Sequence, residues 1–196
     1  MASWVTALLT STGYVGLVFL MFLENVFPPI PSELIVPLAG YMTRKGELAF
    51  AGIVAAATLG SLLGALPLYY LGRKLGFDRT CELARRRGRW LTISERDVGR
   101  AKRWFDRHGA MAVFLCRLVP GVRSLISIPA GIGSMRMSTF ALLTTAGSAI
   151  WAAVLASVGY VLAHNFTKVE EYLDPASWVI FGAIAALYLF RVLRRI

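Results

Sequence analysis

The chain has 196 residues, 57% of them hydrophobic, a mean hydropathy of +0.61 and a net charge of +10. That much apolar sequence excludes a disordered chain and an ordinary soluble domain, and identifies a polytopic membrane protein. The charge is local, with twelve Lys or Arg between Arg73 and Arg107 and three more, Arg191, Arg194 and Arg195, at the end. The positive-inside rule puts both regions in the cytoplasm, and no nucleic-acid partner is needed to explain them. Cys81 and Cys116 have no C-x-x-C partner or ligand-spaced histidine, so no disulfide, metal or other cofactor is expected.

In chain order, apolar runs at residues 4–23, 49–71, 140–163 and 178–193 approach the ~20 residues that cross hydrocarbon and are the expected spanning helices. The first lacks a basic n-region and a small-residue cleavage site, so it reads as a retained helix. Two further apolar stretches cannot be regular helices. Residues 27–40 contain Pro28, Pro29, Pro31 and Pro37, and residues 115–133 contain Pro120, Gly121, Pro129 and Gly131. Each is expected to form a re-entrant hairpin of two half-helices. The loop at 165–174, with Glu170, Glu171 and Asp174 against Lys168, then lies outside, and both termini lie in the cytoplasm.

The chain also repeats itself. Thr58-Leu-Gly-Ser and Thr145-Ala-Gly-Ser are 87 residues apart, and at that offset Ala65 matches Ala152, Leu68 matches Leu155 and Gly72 matches Gly159. Pro37-Leu-Ala-Gly40 precedes the first as Pro129-Ala-Gly131 precedes the second. The expected fold is therefore an all-α integral membrane protein built as an inverted repeat, each half a hairpin followed by a transmembrane helix. Repeat one covers 24–76, with its hairpin at 27–40 and spanning helix at 49–72; repeat two covers 109–166, with its hairpin at 115–133 and spanning helix at 138–163. A basic amphipathic cytoplasmic segment occupies 77–108, and a C-terminal spanning helix 176–194. Within the basic segment Ser94-Glu-Arg-Asp97 is a capping-box pattern, and Val98, Ala101, Trp104 and Phe105 lie at helical spacing opposite Arg96, Arg100, Lys102, Arg103 and Arg107. Such a helix suits an anionic leaflet.

Four charged residues carry the chemistry. Arg117 and Arg123 flank a Pro-Gly turn in Arg117-Leu-Val-Pro-Gly-Val-Arg123, where a guanidinium in lipid costs between ~3 and ~15 kcal/mol. The planar fork of arginine suits bidentate phosphate binding, so both are candidate substrate-phosphate ligands. Glu24 and Glu33, in Glu24-Asn-Val-Phe-Pro-Pro-Ile-Pro-Ser-Glu33, are candidates for proton coupling or for ion pairs with those arginines. His108 and His164 stand away from the arginines in sequence, so an enzyme such as a lipid phosphatase is not expected.

Together these motifs mark a family resemblance over residues 24–166. Glu24-Asn with Pro31-Ser-Glu33, Gly60-Ser-Leu-Leu-Gly64, Tyr70-Leu-Gly-Arg73-Lys-Leu-Gly76, Trp104-Phe-Asp-Arg-His-Gly109, Arg117-Leu-Val-Pro-Gly-Val-Arg123-Ser and Pro129-Ala-Gly131 resemble the bacterial DedA proteins, which share the VTT or SNARE-associated domain. The resemblance implies two opposed hairpins and a flippase for undecaprenyl phosphate or a phospholipid such as phosphatidylethanolamine, driven by protons. It implies roles for Glu24, Glu33, Arg117 and Arg123, with Glu33 and Ser61 standing where many relatives are Asp and acidic respectively. Membrane lipids, protons and a second copy of the chain are the expected partners. A proton-coupled antiporter for ions or small solutes and a passive scaffold are the rival readings.

Overall fold

A computed structural model describes residues 2–26, 32–91, 95–119 and 122–162. These form seven helices and, among the described residues, no strand: α1 (Ala2–Thr12), α2 (Tyr14–Val26), α3 (Ser32–Arg44), α4 (Phe50–Leu91), α5 (Glu95–Arg117), α6 (Ser127–Ile132) and α7 (Met137–Val161). Pro28, Pro29, Pro31, Pro120, Gly121, the acidic loop, His164 and the C-terminal spanning helix lie outside the described residues.

Two helices are long and apolar enough to cross a bilayer: the 33-residue stretch Phe50–Glu82 of α4, and α7 with 25 residues. At 1.5 Å per residue α7 is roughly 37 Å long, more than the hydrocarbon core requires. Both present large apolar side chains outward, including Leu59, Leu63, Leu71, Leu142, Ile150 and Val154, the pattern of a protein solvated by lipid. An apolar groove of about 590 Å³ runs between them, lined by Phe50, Val54, Leu59, Leu62, Ala149 and Ala153 among others.

The expected spanning helix at 4–23 is instead two helices. Gly13 adopts a left-handed conformation (φ 57°) between α1 and α2. Ahead of it the Thr10 hydroxyl donates to the Thr6 carbonyl at 2.9 Å and the Thr12 hydroxyl to the Leu8 carbonyl at 2.6 Å. A glycine's positive φ leaves no trace in hydropathy, so the apolar run concealed the break.

The expected break at Pro37 is not a break. Pro37 lies inside α3, and Pro129 and Gly131 lie inside α6. Pro129 falls in the first turn, where a missing N–H forfeits no helical bond. α5 bends at Gly109 (φ 29°) and continues to Arg117, and turns at 122–126 precede α6. The basic segment at 77–108 is divided between the part of α4 beyond its bend at Gly76 (φ 63°) and the start of α5 at Glu95. In α5 Phe105 turns into the core while Trp104 is 47% exposed, its ring tilted against that of His108.

Packing depends on glycines that let backbones touch. A Cβ at Gly40 would collide with the Ala156 carbonyl, and one at Gly159 with the Pro37 carbonyl, where α3 crosses α7. The same happens where α6 crosses α4: Gly131 abuts the Tyr69 carbonyl and Gly72 the Ile128 carbonyl. Gly60 of α4 lies against Val18 and Met21 of α2, and Gly147 of α7 against Phe114 and Arg117 of α5. These crossings hold the short helices against the two long ones and position the ends of α2, α3 and α5 beside one another.

Candidate functional site

A buried polar cluster sits at those helix ends. Arg117 is the last residue of α5 and 1% exposed; Arg123, in the turns that follow, is 5% exposed. The Arg117 guanidinium donates from Nη1 to Asn25 Oδ1 at 3.4 Å and from Nη2 to Ser127 Oγ at 2.9 Å. Asn25 is oriented for this because its own Nδ2 donates to the Met21 carbonyl at 3.0 Å. The face of Phe140 lies 5.9 Å from the same guanidinium, within cation–π range.

Arg123 takes different partners. Its Nη2 is ion-paired with Glu24 and donates to the Ser32 hydroxyl, so it bridges the end of α2 and the start of α3. Both side chains of the pair are 7% exposed. The structure therefore brings Glu24, Arg117 and Arg123 together from segments about a hundred residues apart in sequence. Glu33 is half-buried, close enough to Glu24 for their carboxylates to repel, and makes no ion pair with either arginine among the described residues.

Asn25, Ser32 and Ser127 are site residues that pattern reading passed over. Asn25 carried a signal, since an amide buried in an apolar helix needs a partner. Ser32 and Ser127 carried none, because serine at a helix start is ordinarily a cap. The cluster holds two guanidiniums against one paired carboxylate, with Glu33 nearby, and among the described residues Glu24 Oε2 and Arg117 Nε are buried without a hydrogen-bond partner. Buried guanidinium donors that protein partners leave over are what an anion site requires.

Second to this site is an aromatic link toward the basic face. The Tyr69 ring stacks on Phe140 with centroids 4.5 Å apart, its hydroxyl donates to the Met135 carbonyl at 2.5 Å, and Arg73 Nη1 donates to that hydroxyl at 2.9 Å.

A family model described as the VTT domain matches residues 30–161. The chain belongs to this family, the DedA proteins. Glu24 and Asn25 lie just ahead of the matched stretch. An "Alkaline phosphatase-like protein" of Lactococcus lactis subsp. cremoris is 42% identical over 92% of this chain and 85% of its own length. "Undecaprenyl phosphate transporter A" of Staphylococcus aureus is 34% identical over 98% of this chain and 95% of its own, and the Bacillus subtilis protein of the same name 29% identical over 95% and 91%. No solved structure matches the chain. With relatives named as membrane proteins and two helices of spanning length, this DedA protein is a membrane protein.

Proposed function

We propose that this DedA protein is a lipid-phosphate translocase of the bacterial cytoplasmic membrane, and that undecaprenyl phosphate is its substrate. The observation that carries the reading is the burial of two guanidiniums in one polar cluster at adjoining helix ends, in a chain otherwise solvated by lipid. Such a site is costly to retain without an anionic ligand or paired carboxylates, and among the described residues Glu24 alone is ion-paired with either arginine. The relatives named as undecaprenyl phosphate transporters favour the polyprenyl phosphate over other anions.

In the proposed cycle the phosphate takes hydrogen bonds from Arg117 and Arg123 while its tail stays in lipid. Protonation of Glu24 releases Arg123 to the substrate, and Glu33 exchanges the proton with the aqueous side. The two hairpins then move against α4 and α7 to open the site alternately, with both termini cytoplasmic. An inverted repeat would supply the two equivalent states. It is supported by the crosswise glycine contacts, Gly40 and Gly159 between α3 and α7 against Gly131 and Gly72 between α6 and α4. It is supported further by an offset of 96 residues that relates the Val18 and Met21 contacts of Gly60 to the Phe114 and Arg117 contacts of Gly147, and left-handed Gly13 to left-handed Gly109.

The test is reconstitution in liposomes with a labelled polyprenyl phosphate and, separately, a labelled phosphatidylethanolamine, comparing wild type with Arg123→Ala and Glu33→Gln. Movement of the polyprenyl phosphate that both variants abolish is the expected result. Movement of phosphatidylethanolamine alone would reassign the substrate, and movement of neither by folded protein would overturn the reading in favour of a proton-coupled antiporter. Phosphate release in the same vesicles would instead support the activity that the lactococcal relative's name suggests.

A further inference from the structure

The two arginines are not equivalent. Arg123 is neutralised by Glu24 and held by Ser32, whereas among the described residues Arg117 has only the neutral partners Asn25 and Ser127 and a buried Nε with no partner. A second buried group lacks a partner among the described residues: Thr144 of α7 is fully buried, and its Oγ1 makes no hydrogen bond there.

Helix geometry places that hydroxyl along the Arg117 side chain. Phe140, Thr144 and Gly147 follow one another at i, i+4 and i+7 and so share a face of α7. Arg117 touches both ends of this row: a Cβ at Gly147 would lie 2.6 Å from Arg117 Cβ, and the guanidinium approaches the Phe140 ring. The arginine therefore runs along the face with Thr144 between its two contacts. A helical threonine ordinarily satisfies its hydroxyl on the carbonyl four residues back, as Thr58 does on Val54 at 2.6 Å and Thr10 on Thr6. Thr144 does not use the Phe140 carbonyl in this way.

We propose that Arg117 Nε and Thr144 Oγ1 together form a phosphate-oxygen subsite, distinct from the Arg123–Glu24 pair, which makes Thr144 a substrate-binding residue. The proposal rests on the lipid-phosphate reading above and deepens it. Arg117 supplies a permanent positive charge that is ion-paired with no carboxylate among the described residues, and Thr144 supplies a second donor from the long helix α7. One phosphate oxygen bound between them ties the second hairpin to α7, so loading the site alters the α5–α7 crossing at Gly147. Asn25 and Ser127 keep the terminal nitrogens in place while Nε faces the ligand.

The test uses full-length protein in detergent, undecaprenyl phosphate and inorganic phosphate as separate probes, and the variants Thr144→Val, Thr144→Ser and Thr58→Val. Valine matches threonine in shape and lacks the hydroxyl, so Thr144→Val is expected to weaken binding of both probes about tenfold, the loss of one hydrogen bond to a charged group. Its melting temperature without ligand is expected to equal or exceed that of wild type, because a buried unpartnered hydroxyl is removed. Thr144→Ser should bind within about twofold of wild type, and Thr58→Val should bind as wild type. Unchanged binding by Thr144→Val would overturn the proposal, as would a fall in its ligand-free melting temperature, which would reveal a structural partner for the hydroxyl. Thr144-dependent binding of inorganic phosphate without binding of the lipid would sustain the subsite and refute the lipid reading. Wild-type binding and transport of the lipid with a Thr144→Val variant that binds equally would do the reverse.

Discussion

Removing Glu24 should cost more stability than removing Arg123, although the two form one ion pair. Both are 5% exposed, so solvent screens neither, and breaking a buried pair costs about 3–5 kcal/mol because the remaining charge is uncompensated. In Glu24→Ala the remainder is two guanidiniums that repel each other, with the neutral Asn25, Ser32 and Ser127 as their hydrogen-bond partners among the described residues. In Arg123→Ala the surviving carboxylate faces Glu33 as well as Arg117, but it can take up a proton and become neutral, which a guanidinium cannot. Glu24→Ala is therefore expected near ~5 kcal/mol and Arg123→Ala near ~3 kcal/mol, falls of about 15 and 9 °C in melting temperature at roughly 3 °C per kcal/mol for a chain of this size. The double variant Glu24→Leu/Arg123→Met should return to within ~2 kcal/mol of wild type, since a neutral pair of similar volume carries no desolvation cost. Thermal unfolding of the four proteins in the same detergent ranks them. A Leu/Met double variant less stable than either single variant, or a larger loss from Arg123→Ala, would refute the assignment of Glu24 as the direct counter-charge of this cluster.

Gly159→Ala and Gly131→Ala should each destabilise by about 1–3 kcal/mol, since the new methyl meets backbone that cannot move independently of its helix; thermal unfolding would register either. Gly99→Ala should do the opposite and stabilise by about 0.5–1 kcal/mol, because its methyl would approach only the end of the Arg103 side chain within an exposed helix. Tyr69→Phe leaves the Met135 carbonyl and Arg73 without their shared hydroxyl, a loss of about 1–3 kcal/mol that hydrogen exchange should localise to the start of α7. Lys102→Ala breaks an ion pair whose side chains are 37% and 48% exposed, and unfolding should shift by less than ~0.5 kcal/mol.

Several features follow from sequence because their cause is one-dimensional. Lipid solvation requires long apolar runs, so α4 and α7 were legible from hydropathy alone. Intramembrane arginine is so costly that Arg117 and Arg123 stood out before any contact was known. The matching of Gly72 with Gly159, and of Gly40 with Gly131, was visible as spacing, yet only the crossings of α3 with α7 and of α6 with α4 gave each glycine its neighbour. Other features needed the fold. Left-handed Gly13 divides an apolar run, and Pro37 and Pro129 stand inside helices rather than between them, because backbone dihedrals and neighbouring contacts decide these outcomes and composition does not. Charge pattern alone also left Glu24 and Glu33 interchangeable. Tertiary packing set Glu24 against Arg123, left Glu33 half-buried, and gave Arg117 the neutral partners Asn25 and Ser127, since which charges meet depends on where helix ends converge and not on how far apart they lie in sequence.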